Sequence, residues 1–200
     1  LLGPARLDEA CARRRVLRAL DTLGIPYAAE PASQARFTSG SGHAIGPAEL
    51  LLESAANPDL VLQIGQPPTS GALERQLGGT RAPHLFVLAE EGRPDPTRRA
   101  SHLVVAPLAE ALERLASDPA LATSEDWRAQ AALRAERHAE VTSSLVAEPA
   151  RELDDLSAMR CALDALPETG YLALGNSLPV RIADLVAPAT GLELAGVLHQ

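Results

Sequence analysis

Hydrophobic positions in the first part of the chain alternate between helical spacing and short continuous runs. Residues Leu7–Leu23 place apolar side chains at helical spacing and stop at Gly24, which suits a helix C-terminus. The continuous run Leu60–Gly65 is typical of a strand buried on both faces. The other predicted elements are the strands Ile25–Pro31, His84–Glu90 and His102–Pro107 and the helices Pro47–Ala56, Ser70–Leu77 and Leu108–Ala116. This alternation predicts an α/β domain with a parallel sheet flanked by helices.

The pattern changes after Asp118–Thr123, which we interpret as a linker. Ser124–Leu166 is rich in Ala, Arg and Glu and predicts two helices interrupted at Pro149. A buried strand begins at Tyr171 and leads through a turn into a helix, and Leu192–His199 predicts one more strand. We therefore divide the chain into a first domain at 1–120, linking helices at 121–170 and the unfinished start of a second α/β domain at 171–200.

The amino-acid composition of the chain argues against nucleic-acid and membrane partners. The chain has 200 residues, of which 46% are hydrophobic and 22% charged, as in ordinary globular proteins. A net charge of −8 and 2% aromatic residues argue against a nucleic-acid partner, because phosphate backbones need basic surfaces and bases need stacking partners. The sequence shows neither a run of 18–20 apolar residues nor a signal peptide, so we expect a cytoplasmic protein without a membrane partner.

Residue usage adds three expectations. Every basic residue is arginine, which excludes lysine-based catalysis. Cys11 and Cys161 lack metal-ligand spacing, and we expect two free thiols that act as small apolar residues in a reducing compartment. Because the chain begins Leu-Leu-Gly and its single methionine is Met159, we expect it to be an excised or processed segment.

Two loops could hold a phosphate or another anion. Gly40–Gly46 has the spacing G-x-G-x-x-x-G, which departs from the dinucleotide fingerprint, and a surface loop is the better interpretation. His43 within it lacks a ligand partner, so we predict no metal site there. Thr69 and Ser70 begin a helix at the end of a strand, where free amides suit an anion. A simple N-cap explains the same two residues.

Three arginines form a further candidate anion site between two predicted strands. Arg93, Arg98 and Arg99 surround two prolines and could bind an anion together. The alternative is a solvated loop in which they pair with Glu90 and Glu91, and exposed pairs of this kind contribute little stability.

The stretch "GNSLPVR", Gly175–Arg181, has the most specific pattern. Asn176 or Ser177 is predicted to cap a helix, and Arg181 lies four residues after Ser177 on the same helix face. A cation in the first turn opposes the helix dipole, which favours a carboxylate or phosphate ligand nearby. An ion pair between Arg181 and Asp184 explains the arginine equally well.

Three stretches together resemble the MenD family of thiamine-diphosphate-dependent enzymes of bacterial menaquinone synthesis: "DLVLQIGQPPTSGALERQL", "HLFVLAEEGRPDPTRRASHLVV" and "YLALGNSLPVRIADLVAP". The stretch "IPYAAEPASQARF" is similar to a further family segment and places Ser33 and Arg36 on its serine and arginine. The resemblance covers essentially the whole chain, and "GNSLPVR" is its most specific part. It implies a central Rossmann-like domain followed by the start of a diphosphate-binding domain.

The resemblance also implies a reaction. Family members decarboxylate 2-oxoglutarate on thiamine diphosphate with Mg²⁺, add the succinyl carbanion to isochorismate and form homo-oligomers. By resemblance, Ser177 and Arg181 bind substrate carboxylates, Asn176 contacts the cofactor, and no catalytic or metal-binding residue falls within the chain. The family's cofactor-activating glutamate and its metal motif do not occur here. We therefore expect this chain alone to bind no thiamine diphosphate, to be inactive and to act as a structural domain.

Two other functions are compatible with the same sequence. The chain could be a stand-alone Rossmann-like module that binds a nucleotide or another anion, in which case ADP or FAD would be retained on purification. It could also be the central domain of another thiamine-diphosphate enzyme, such as an acetolactate-synthase relative. The Ser/Arg pair of "GNSLPVR" argues against the second of these.

Overall fold

The computed structural model describes residues 1–7, 9–38, 44–47, 58–79, 84–121, 123–147, 154–167, 169–187 and 192–199. The predicted helix beyond Pro47, residues 40–43 of the predicted glycine loop with His43, and Pro149 lie outside the described residues. The elements in chain order are α1 (Ala10–Leu23), β1 (Leu60–Ile64), α2 (Gly71–Gly79), β2 (His84–Ala89), β3 (His102–Val105), α3 (Leu108–Ala116), α4 (Glu125–Ala147), α5 (Asp155–Asp164), β4 (Tyr171–Leu174), α6 (Leu178–Val186) and β5 (Gly196–His199).

The first unit, from α1 to α3, is the predicted parallel sheet with its helices. The strands lie in the order β1-β2-β3, all parallel, and Phe86 pairs with Leu62 on one side and His102 on the other. The apolar stripe of α1 packs with α3 on the end of this sheet, where Leu20, Ile64 and other buried residues form one core. Gly24 ends α1 with φ 62°, so the predicted helix end is confirmed.

The predicted strand Ile25–Pro31 is only partly correct. Tyr27 and Ala29 form isolated β-bridges, and Pro31–Ser33 is a 3₁₀ turn. Leu2 lies between this segment and β1 and bridges in parallel to both Ala29 and Ile64. The segment is therefore connected to the sheet through residues at the start of the chain, and its own pairing is too short to make a continuous ladder.

The second unit consists of α5, β4, α6 and β5. The two strands are parallel, with Leu172 opposite Val197, so the predicted strand–turn–helix–strand unit is confirmed. The two predicted helices before it are confirmed as α4 and α5, and Asp154 begins α5 with a capping box to Ser157. The core of this unit also takes in Phe37 from the first part of the chain, with 1% of its surface exposed.

Candidate functional site

The start of α2 and the side of α6 enclose a cavity of about 350 Å³. Glu30, Thr69 and Ser70 line it from the first unit, and Arg181 and Asp184 line it from α6. The helix start at Thr69 and Ser70 and the stretch "GNSLPVR" were predicted as separate candidate sites. Residues of both line the same cavity. Their meeting was not predicted, because it depends on how the two units pack.

The N-terminus of α2 holds an anion that belongs to the protein itself. Glu30 is 2% exposed, and its carboxylate accepts hydrogen bonds from the Thr69 amide at 2.8 Å, the Thr69 hydroxyl at 3.1 Å and the Ser70 amide at 3.4 Å. The Ser70 hydroxyl accepts from the Leu73 amide at 3.3 Å, which confirms the predicted cap. The helix start is thus suited to an anion, as the sequence indicated, and Glu30 supplies it.

Burial sets the protonation of Glu30. The pKa of Glu30 is raised to about 7, mainly because burial removes its carboxyl group from water; the charge of Asp184 also raises the pKa, and the hydrogen bonds from Thr69 and Ser70 lower it. Burial outweighs these bonds. The charge of the cavity therefore changes near neutral pH, in a site whose other charged groups are Arg181 and Asp184.

The start of α6 differs from the predicted cap. Ser177 occupies the N-cap position, but its side chain makes no capping hydrogen bond, so this prediction is wrong. The reason is its backbone: φ is 73° and ψ is −116°, whereas an N-cap side chain reaches the helix amides from the extended region. A non-glycine residue in such a conformation costs about 1–3 kcal/mol, and strain of this kind concentrates at functional sites.

The predicted ligand-binding residues of "GNSLPVR" are all exposed. Asn176 and Ser177 lie in the turn before α6, and Arg181 lies on the helix. Of these described residues, Arg181 lines the cavity and Ser177 does not. Asp184, the proposed ion-pair partner, interacts electrostatically with Glu30 and with Arg36. The roles of Asn176, Ser177 and Arg181 in binding stay predictions.

Ser33 and Arg36 are buried structural groups. The Ser33 hydroxyl accepts a hydrogen bond from the Ala35 amide at 3.2 Å. The Arg36 guanidinium donates to the carbonyl oxygens of Asp184 and Ala187 at 3.0 Å and 2.9 Å, at the end of α6. The sequence resemblance included the positions of Glu30 and Arg36 but gave neither residue a role. The sequence did offer one signal for their burial: Glu30 and Arg36 lie in a segment with few other polar residues.

The arginine loop between β2 and β3 is organised by a carboxylate. Asp95 accepts hydrogen bonds from the Thr97 hydroxyl and the Ala100 amide, both at 2.8 Å. Partial burial raises the pKa of Asp95, but these bonds and others from the loop backbone outweigh it and hold the pKa below its ordinary value. Arg99 donates to the carbonyl oxygen of Gly78 at 2.9 Å, and Arg93 and Arg98 are exposed.

The remaining predictions concern the acidic residues of this loop, the cysteines, metals and the membrane. Glu91 pairs with Arg6 at 3.2 Å rather than with the loop arginines. Cys11 and Cys161 are free thiols as predicted, but both are exposed, so the predicted apolar role is wrong. Among the described residues, no group of three or more His, Cys, Asp or Glu could hold a metal ion. No helix in the described part of the chain has both the length and the apolar character needed to cross a membrane.

Comparison with known proteins shows what this chain is similar to. No family model matches the chain. The chain is 34% identical to the 2-succinyl-5-enolpyruvyl-6-hydroxy-3-cyclohexene-1-carboxylate synthase of Sorangium cellulosum (strain So ce56), in an alignment that covers 99% of the chain and 34% of that protein. This chain is a MenD-like sequence. Synthases of the same name from Myxococcus xanthus (strain DK1622) and Rubrobacter xylanophilus (strain DSM 9941) are 32% and 28% identical over 86% and 95% of the chain.

The MenD-like similarity extends along the chain and is not confined to one motif. The alignments cover 34%, 30% and 30% of the three synthases, so the chain spans about a third of the length of the curated relatives it matches. The family resemblance read from "GNSLPVR" and its neighbouring stretches is thereby confirmed.

Proposed function

We propose that this chain is part of a menaquinone-biosynthesis synthase that releases CO₂ from 2-oxoglutarate and adds the remaining succinyl unit to isochorismate. The observation that carries the proposal is the exposed Ser177–Arg181 pair at the start of α6, within a chain related along nearly its whole length to three such synthases. In this proposal Ser177 and Arg181 bind a carboxylate of a substrate.

The chemistry of the helix start supports this role. The first amides of a helix lack partners within the helix and carry partial positive charge, and a guanidinium beside them adds a full charge and a planar fork of donors. Arg181 opposes the helix dipole at a cost of about 0.3–1 kcal/mol, and a bound carboxylate removes that cost. Both proposed substrates carry more than one carboxylate.

Thiamine diphosphate, when bound, supplies the electron sink for the decarboxylation. By resemblance, the family's motif for its Mg²⁺-diphosphate group does not occur in this sequence. The proposal therefore assigns no step of the cofactor chemistry to this chain and keeps only a contact from Asn176. Assembly into a homo-oligomer and a cytoplasmic location are likewise proposed by resemblance.

The alternative of a stand-alone anion-binding module is less well supported. Its main site was the start of α2, and there the Glu30 carboxylate already accepts hydrogen bonds from the Thr69 and Ser70 amides. An external phosphate would have to displace a buried side chain. We therefore keep one proposed function.

A chimaera tests the proposal in a complete enzyme. This chain replaces the matching segment of the Sorangium cellulosum synthase, and turnover of 2-oxoglutarate with isochorismate is measured. We expect an active chimaera in which Arg181→Met lowers kcat/KM about 10- to 100-fold, since a hydrogen bond to a charged group contributes about 1.5–3 kcal/mol. Arg160→Met is the matched control, because Arg160 is a surface arginine on α5 that pairs with Asp164. Equal activity of the two variants would contradict the proposal.

If the chimaera is inactive, a binding measurement on the chain itself tests the proposal. Amide resonances of the ¹⁵N-labelled chain are followed during titration with 2-oxoglutarate. We expect shifts at the start of α6 that Arg181→Met abolishes and Arg160→Met retains. Calorimetric titration with thiamine diphosphate and Mg²⁺ should show no binding, and micromolar affinity would refute that expectation.

A further inference from the structure

The guanidinium of Arg36 joins the two units through the end of α6. One terminal nitrogen donates to the carbonyl oxygens of Asp184 and Ala187, and the other donates to the carbonyl oxygen of Ala29 at 3.4 Å. The residue is 4% exposed, and the bonded groups on α6 lie 148 and 151 positions along the chain from it. These bonds fix the last turn of α6 to the segment that also carries Glu30.

The end of α6 needs the donors that an arginine provides. The last carbonyl groups of a helix have no partner within it, and they carry partial negative charge. Burial lowers the pKa of Arg36, while the charge of Asp184 raises it, and a guanidinium remains protonated throughout the physiological range. Its planar fork can donate to several carbonyls at once, and a lysine ammonium lacks that geometry.

The residues beside Arg36 hold the second unit at separate points. The side-chain amide of Gln34 donates to the Val197 carbonyl at 2.6 Å and accepts from the Val197 amide at 2.9 Å, as a neighbouring strand would. The Phe37 carbonyl accepts from the Leu194 amide at 3.0 Å. Among these anchors, Arg36 is the one that bonds to α6, the helix that carries Arg181.

The distance from this anchor to the proposed binding group is short. Asp184 follows Arg181 by three residues, which is about 4.5 Å along a helix axis. A shift at the anchored turn therefore moves Arg181 relative to Thr69 and Ser70 on the opposite wall of the cavity. We propose that Arg36 is a positioning residue: it holds α6 where Arg181 can bind the substrate carboxylate. The substrate part of this inference rests on the proposed function.

The test measures geometry and binding separately on the 200-residue chain. Cys11 on α1 and Cys161 on α5 are exposed, so both accept spin labels without new substitutions, and the distance between the labels reports the arrangement of the two units. Arg36→Met removes the charge and the donors at similar volume, and Arg36→Lys keeps the charge without the fork. Leu112→Ala in the core of the first unit is the control for lost stability alone.

We expect Arg36→Met to shift or broaden the distance distribution and to weaken 2-oxoglutarate binding at least about tenfold, as loss of a charge-assisted contact would. Arg36→Lys should show the same changes to a smaller degree, and it provides the answer if Arg36→Met does not fold. Leu112→Ala should change neither quantity while it lowers the urea midpoint. Unchanged distances in both Arg36 variants would overturn the inference. If the unsubstituted chain does not bind 2-oxoglutarate, the proposed function fails. The distances between the spin labels then test by themselves whether Arg36 positions α6.

Discussion

Replacement of Glu30 by glutamine should remove a specific pH dependence from the stability of this protein. Glu30 is buried at the N-terminus of α2, and burial raises its pKa from 4.5 to about 7. A carboxyl group with a raised pKa binds its proton more tightly in the folded state than in the unfolded state. Its contribution to the free energy of unfolding is therefore fully present below pH 4.5 and is lost as the pH rises through about 7.

The size of the effect follows from the two pKa values. They differ by about 2.5, and one pKa unit corresponds to about 1.36 kcal/mol, which gives roughly 3 kcal/mol over the full range. Linkage places most of this, about 2–3 kcal/mol, between pH 5 and pH 8. Glutamine keeps an acceptor oxygen for the Thr69 amide but cannot titrate, so this part of the slope should disappear in Glu30→Gln.

Urea unfolding at pH 5 and pH 8, followed by circular dichroism, measures the effect. The quantity to compare is the difference in unfolding free energy between the two pH values, because all other titrating groups contribute to both proteins. We expect the unfolding free energy to favour pH 5 over pH 8 by about 2–3 kcal/mol more in the unsubstituted chain than in Glu30→Gln. Equal differences would refute the reasoning and mean that the hydrogen bonds from Thr69 and Ser70 offset burial. A difference of opposite sign would mean that they outweigh it.

Two further predictions concern packing and backbone geometry. Phe37→Ala should lower the urea-derived unfolding free energy by about 3–5 kcal/mol, because the ring is buried in the core of the second unit. The control Phe86→Ala, at a partly exposed position on β2, should lower it clearly less, and equal losses would place Phe37 outside that core. Gly65→Ala should cost about 1–3 kcal/mol or more by the same measurement, since φ is +84° and an added Cβ would lie 2.6 Å from the Pro4 carbonyl oxygen. Gly79→Ala, where the added methyl meets open space, is the control and should change stability by no more than about 0.5 kcal/mol.

Local patterns determined how well each element could be predicted. The helix Leu108–Ala116 has the predicted bounds, and β1 differs from its prediction by the terminal Gly65, because a helical stripe and a continuous apolar run are both complete within the segment. The pairing of Leu2 with Ile64 could not be predicted, since a single bridging residue has no periodicity. The capping role given to Ser177 failed for a related reason: its residue type suits a cap, and only the backbone shows φ 73°.

The site was harder to predict because its organising residues are charged and buried. Charged side chains are expected at the surface unless they are paired, so no composition rule places Glu30 or Arg36 in the interior. Their partners are backbone groups that are distant in sequence, 39 positions away for Thr69 and 148 for Asp184. A resemblance could mark Arg36 as a family position, but the physical reason for the residue appears only once α6 is packed against the first unit.

Glu30 and Arg36 carry opposite charges and interact with opposite ends of two helices. The carboxylate meets the N-terminal amides of α2, and the guanidinium, six residues later, meets the C-terminal carbonyls of α6. Each charge has the sign that compensates its helix end, so both helix dipoles favour the charges that burial disfavours. An apolar residue at position 30 would leave the amides without an acceptor, and one at position 36 would leave the carbonyls without a donor. Because one short segment satisfies a helix end in each unit, it also fixes the spacing of α2 and α6, and the cavity that Arg181 lines lies between those two helices.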